Sequence, residues 1–167
     1  MKARLLIILF FVATASFAQT ATPAKPAAPL LYGANITLEK AKAVAAAAAA
    51  YATKSQWTVV IAIVDTGGNL VYLEKFDNTQ VGSIDVALAK AKTSNNFKRP
   101  SKGFQDALAG VATNPENARV LSLPNAIAVE GGELIVSEGK IIGAIGVSGM
   151  SAAQDTEVAK AGLAVIK

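Results

Sequence analysis

The chain has 167 residues, 52% of them apolar and 17% charged, with a formal net charge of +4 and neither cysteine nor histidine. A single domain is expected at this length. The missing residue types exclude a cysteine nucleophile, a Ser-His-Asp triad, a Cys/His zinc site, a bis-histidine haem centre and any disulfide framework, and the apolar content excludes a disordered chain.

Residues 1–18 read as a secretory signal peptide. Lys2 and Arg4 supply a positive start, Leu5 to Ala13 is a short apolar run, and Ser16 and Ala18 place small residues at the −3 and −1 positions of a cleavage site. Nine apolar residues are too few to span a bilayer, which takes about 20. Cleavage after Ala18 lowers the net charge from +4 to +2, because Lys2 and Arg4 leave and no acid does. A secreted or periplasmic location is therefore expected, with no membrane anchor. The short Lys98–Lys102 stretch is the only basic cluster, so no nucleic-acid partner is expected. Residues 19–30, with Pro23, Pro26 and Pro29, predict an extended flexible linker, and residues 31–167 the folded domain.

The first helix is expected over Thr37–Lys54, with Thr37 as cap and Glu39 favoured by the helix dipole. Its six consecutive alanines, Ala45–Ala50, suit a helix lying close on a sheet; a subunit interface is the other reading. Trp57–Val64 is β-branched and apolar and predicts a buried strand. The turn Asp65-Thr66-Gly67-Gly68-Asn69 returns it to Leu70–Phe76 as a hairpin. Ser83–Phe97 predicts a second helix with Ile84, Ala87, Leu88 and Ala91 on its apolar face, leaving Lys90 and Lys92 elsewhere. Pro100 stops it. A short helical turn is expected in Gly103–Gly110, loop in Asn114–Pro124, and strands at Ala126–Val129, Glu133–Val136 and Lys140–Val147. Ser151 and Gln154 have capping-box spacing at the start of a final helix with Val158, Ala161, Gly162 and Val165 as its apolar stripe. This order predicts an α+β fold, an antiparallel sheet flanked by helices.

Chemistry could sit in several places. Gly143–Gly149 leads from a strand into the last helix, where backbone amides can hold an anion; tight packing and a sharp turn explain the same glycines. The spacing is not that of a dinucleotide-binding loop. Asp155 could act as a base or a cation ligand, but dipole complementation explains it. Turn geometry likewise accounts for Asp65. Glu130, Glu133 and Glu138 could meet a hard cation, yet no loop spacing supports one, so no metal ligand is assigned. Thr93, Phe97, Arg99, Ser101 and Lys102 gather an aromatic, cations and hydroxyls that could hold a flat anion.

These segments resemble the GlcG/HbpS-like family of haem-binding proteins, which includes the PduO C-terminal domain. The likeness is carried by Thr37–Ala41, by Ile63–Leu70, by Ser83–Ala87 with Lys90–Thr93, and most specifically by Gly131-Gly132 followed by Gly139 and Gly143–Gly149 to Asp155. The resemblance implies a profilin-like layered domain, homo-oligomers, and haem binding in some members. It leads us to expect haem contacts at Thr93, Phe97, Arg99, Lys102, Gly146, Ser148, Gly149 and Met150, with cations and amides meeting the propionates, and no catalytic residue. Some family members ligate haem iron through histidine. This chain has none, so Met150, Tyr32, Tyr51, Tyr72, lysines and Thr93 are the remaining donors. The alternative is a binder or enzyme for a small hydroxy-acid such as glycolate, with the glycine-rich turn and Asp155 as its site.

Overall fold

The structure, a computed structural model, describes residues 29–166. The signal-peptide segment and most of the linker lie outside the described residues. The elements in chain order are β1 (Leu31–Tyr32), α1 (Leu38–Lys54), β2 (Val60–Asp65), β3 (Leu70–Lys75), α2 (Ser83–Phe97), α3 (Lys102–Ala109), two 3-10 segments (Gly110–Ala112 and Pro115–Ser122), β4 (Gly132–Ser137), β5 (Lys140–Ser148) and α4 (Ala152–Leu163). The fold is α+β, as expected, with one mixed five-stranded sheet.

β5 is the spine of that sheet. One edge pairs antiparallel with β4 along Lys140–Gly146. Its other edge pairs antiparallel with β2 along Gly143–Ser148 and, beyond the end of β2, takes the two residues of β1 in parallel. β3 closes the β2 side as the expected hairpin. The antiparallel sheet thus acquires one short parallel member that neighbouring sequence could not announce, because parallel pairing joins residues far apart in the chain.

Alternation along β2 separates two packing layers. Ile61 and Ile63 join Ile135, Ile145 and Val147 against α1 and α4, where Val44, Ala45, Ala48, Ala52, Val158 and Ala159 complete the main core. Val60, Ala62 and Val64 face the opposite side and meet Ala87 and Ala91 of α2, together with Ala144. The alanine run therefore serves the core. Its buried members let α1 lie close on the sheet and on α4, where a Cβ at Gly162 would stand 2.9 Å from the Val44 carbonyl.

On the α2 side the sheet is bare backbone at two positions, Gly132 and Gly146. A Cβ at Gly146 would lie 2.1 Å from the Ala87 carbonyl oxygen, and one at Gly132 would lie 2.2 Å from that of Lys90. Only glycine permits this approach. Packing, not an anion cradle, accounts for Gly146, which sits inside the sheet between Ala62 and Gly132.

Four expectations are corrected. Ala126–Val129 is not a strand but an irregular segment crossing α2, where Thr93 Oγ1 accepts the Ile127 N–H at 2.9 Å. The strand expected at Trp57 begins only at Val60, because the chain is still leaving α1: Gln56 takes φ 57° and Trp57 N–H bonds to the Ala52 carbonyl. Asn114–Pro124 is largely a 3-10 segment capped by Asn114. α4 ends at Leu163, so Val165 leaves the apolar stripe and is 47% exposed, while Thr156 and Ala159 enter the core face.

Candidate functional site

The residues singled out from the sequence fall into two groups, which the structure keeps apart. Ser148 lies at the first residue of α2, its hydroxyl 3.3 Å from that of Ser83. Arg99 and Lys102 lie beyond the last residue. A 15-residue helix separates its ends by about 21 Å, so no single compact ligand touches all eight residues.

The first group forms the corner between α2 and α3. α2 ends because Lys98 turns left-handed, at φ 54°, and its N–H returns to Asn95 and Ser94 carbonyls. Pro100 then blocks continuation. Phe97 packs edge-to-face on the fully buried Phe104, centroids 5.2 Å apart. The Arg99 guanidinium lies 4.0 Å over the Phe104 ring, and Lys98 Nζ lies 4.4 Å over Tyr32. Lys102 pairs with Asp106 at 2.6 Å in solvent. Ser101 fastens the corner to the sheet: its N–H donates to the Gly132 carbonyl at 3.0 Å, and its hydroxyl accepts the Gly132 N–H at 2.9 Å. Thr93 is fully buried one turn earlier, donating to Ala89 O and accepting from Ile127. A hollow of about 270 Å³ lies farther back along α2, lined by Asp85, Leu88, Lys92 and Ala126, and includes no residue of this corner. The corner therefore presents cations stacked on aromatic faces, with their charge open to water.

The second group surrounds the turn from β5 into α4, and its centre is a residue placed elsewhere from sequence. Lys90 does not face solvent. It is 1% exposed, and its Nζ donates to Asp155 Oδ2 at 2.8 Å and to the Val147 carbonyl at 3.0 Å. Asp155 is 2% exposed; its other oxygen accepts the Met150 N–H at 3.0 Å. Gly131 roofs the pair, since a Cβ there would stand 2.9 Å from Lys90 Nζ. Burial pushes the Asp155 carboxyl above its ordinary pKa, while Lys90 and the Met150 amide pull it back. The pair joins α2 on one face of the sheet to α4 on the other. It was not legible in sequence, because 65 residues separate the partners and Lys90 lies beside, not on, the apolar stripe.

This arrangement spends three of the amides at the turn inside the protein. Met150 N–H already has the Asp155 carboxylate, and the Ser151 and Gln154 N–H groups satisfy each other's side chains in the expected capping box. Asp155 is thus more than a dipole complement, and the hydroxy-acid reading loses it as a free base. Gly149, with φ 154°, lies against the Thr58 carbonyl, and Met150 is 36% exposed.

Glu130 and Glu133 flank the same region. Glu130 Oε1 accepts from Gln105 at 3.4 Å and Oε2 from Thr156 at 3.5 Å. Glu133 is 8% exposed, and burial raises its pKa. Glu138 lies at the far end of the β4–β5 hairpin, so the three acids do not converge. Among the described residues no group of three or more His, Cys, Asp or Glu is placed to hold a metal ion, and no helix is long and apolar enough to cross a membrane.

Comparison with known proteins agrees with this architecture. The family model described as "Haem degrading protein HbpS-like" matches residues 36–164, and the chain belongs to that family. It is similar to Protein GlcG of Escherichia coli K12, with 35% identity over 113 residues, 68% of this chain and 81% of that protein. Among solved structures it is similar to a double mutant of Streptomyces reticuli HbpS (28% identity, TM-score 0.72, 90% of this chain and 99% of that one). A PduOC:Heme complex is similar at 25% identity and TM-score 0.70, over 80% of this chain and 96% of that one.

Proposed function

We propose that this protein is an exported haem-binding protein that works as a homo-oligomer, with haem held at the α2–α3 corner. The observation that carries the reading is membership of the HbpS-like family together with the similarity to a chain solved as a haem complex. Export rests on the N-terminal sequence, and the homo-oligomer on the family resemblance.

The residues of the corner fit the porphyrin and its propionates. Phe97 supplies an aromatic surface backed by Phe104, and Arg99, Lys98 and Lys102 supply cations at the surface that can turn toward carboxylates. They fit a strong axial bond to iron less well. Protein haem sites use His, Cys, Met or Tyr, and the first two are absent. The hydroxyls of Tyr32, Tyr51 and Tyr72 each donate within the protein, to Asn95 O, Glu157 and Glu74. All three pKa values are raised, Tyr32 and Tyr72 first by burial and Tyr51 first by its bond to Glu157, which opposes a tyrosinate ligand. Thr93 has both hydroxyl functions occupied, and Met150 lies at the other end of α2. When bound, haem would supply its iron chemistry; this chain's residues supply a flat wall and counter-charges.

Haemin titration of the mature chain, residues 19–167, followed by absorbance, tests the reading. A saturable, shifted Soret band is expected, retained in Met150→Leu and weakened in Arg99→Ala. An unchanged Soret band overturns it. Light scattering of the same sample tests the homo-oligomer.

A further inference from the structure

The sheet has two long edges, β4 and β3, and the fold treats them differently. On β4 the outward N–H and C=O of Gly132 are both taken by Ser101. On β3 the alternation is set by Phe76, whose N–H donates to the Val59 carbonyl at 3.0 Å. Counting back along the ladder, Glu74 and Tyr72 aim their backbone groups at Ile61 and Ile63, and Leu73 and Lys75 turn theirs away from β2. Among the described residues nothing bonds to these outward groups. An open ladder of this kind is a template for another strand.

The surroundings of that edge are apolar and half-buried. Leu73, with Ile84 and Leu88 of α2, partly covers the small core of Val60, Ala62 and Ala87. On the opposite face Val71 and Tyr72 pack with Ala49 of α1 against the main core. Ala46 is exposed and shares the flank of α1 with Ala49, three residues on. Small side chains there leave room for a second helix to approach. No proline interrupts β3. The two features that discourage edge pairing, the irregularity beside Val71 and the charge of Lys75, lie toward its ends.

We propose that β3 is the strand through which two copies of this chain join, antiparallel about a two-fold axis, so that two five-stranded sheets become one. The inference rests on the homo-oligomer reading above and names its contact. Charge selects the register. Centred on Leu73, the pairing sets Leu73 against its own copy, Tyr72 opposite Glu74 of the other copy, and Lys75 opposite Val71. The Tyr72 hydroxyl, which donates to its own Glu74 at 3.2 Å, thereby gains a second carboxylate as cross-strand neighbour. One step toward Lys75 sets Glu74 against Glu74, and like charges directly opposite repel. One step the other way brings the irregular Val71 into the centre of the ladder. Each copy offers the same surface, so the contact closes on itself.

The chain has no cysteine, so a single introduced thiol reports the contact. In the proposed register two copies of Leu73 have Cα atoms about 5.5 Å apart, within the range a disulfide spans. Two copies of Lys75 are offset by four residues, about 13 Å, which is outside it. Mild oxidation of the mature chain should therefore link Leu73→Cys into dimers on a non-reducing gel and leave Lys75→Cys unlinked. Leu73→Pro removes an outward N–H without touching the β2 ladder, and should lower the mass seen by light scattering about two-fold. Failure of Leu73→Cys to link, or equal linking of both variants, overturns the β3 contact. A folded Leu73→Pro of wild-type mass overturns it too; should that variant not fold, the cross-linking decides alone. In either case an oligomeric wild type keeps the homo-oligomer reading and loses only this contact, whereas a monomeric wild type overturns both.

Discussion

The middle of α2 and its C-terminal end treat their charges in opposite ways. At the β5–α4 turn, Lys90 and Asp155 are almost completely buried and spend their hydrogen-bonding capacity on each other, on Val147 O and on Met150 N–H. At the α2–α3 corner, Arg99, Lys98 and Lys102 reach solvent, stacked on rings or paired loosely. Both regions were rich in functional candidates when read as sequence. The contrast shows that a charge satisfied internally holds the fold together, and one left open on an apolar surface is available for a ligand.

The sharpest way to break this comparison is at the buried pair. Lys90→Met leaves Asp155 buried without its cation and should destabilise by about 3–5 kcal/mol, whereas replacing both partners by apolar residues should recover most of that loss. Denaturant unfolding of the single and double variants measures it. If the single change is harmless, the pair does not fasten α2 to α4. Next in size, Gly146→Ala forces a Cβ to within 2.1 Å of the Ala87 carbonyl and should cost about 1–3 kcal/mol or more as α2 is pushed off the sheet, again read by unfolding and with α1 unaffected.

Smaller effects should appear at the open end, and in a different observable. Arg99→Ala should leave unfolding nearly unchanged but weaken haemin binding roughly 2- to 5-fold, since an exposed cation over a ring or near a carboxylate contributes about 0.5–1 kcal/mol. Asp106→Ala should be smallest of all. It frees Lys102 from its exposed partner and should leave stability within error, because surface pairs of this kind are screened by water, while haemin binding tightens slightly.

Much of the chain was readable without coordinates. α2 has the bounds that its stripe and Pro100 indicated, the β2–β3 hairpin forms around Asp65–Asn69, and Ser151–Gln154 forms its capping box. Each depends on residues within a few positions of one another, where propensity and turn chemistry act. The misreadings have the opposite character. Ala126–Val129 looks like a strand by composition but finds no strand to pair with, so its Ile127 N–H goes to Thr93 instead. Gly146 and Gly149 looked like an anion loop, yet the backbone they meet comes from α2 and from Thr58.

The sequence by itself thus determined the helices, the hairpin, the α+β class and the family likeness, because periodicity, capping and glycine spacing are local. Tertiary structure alone decided that Lys90 is buried and that Asp155 is spent on it and on the Met150 amide. Those outcomes depend on which distant groups share a low-dielectric space, and a buried charge takes its role from its partner rather than from its neighbours in the chain.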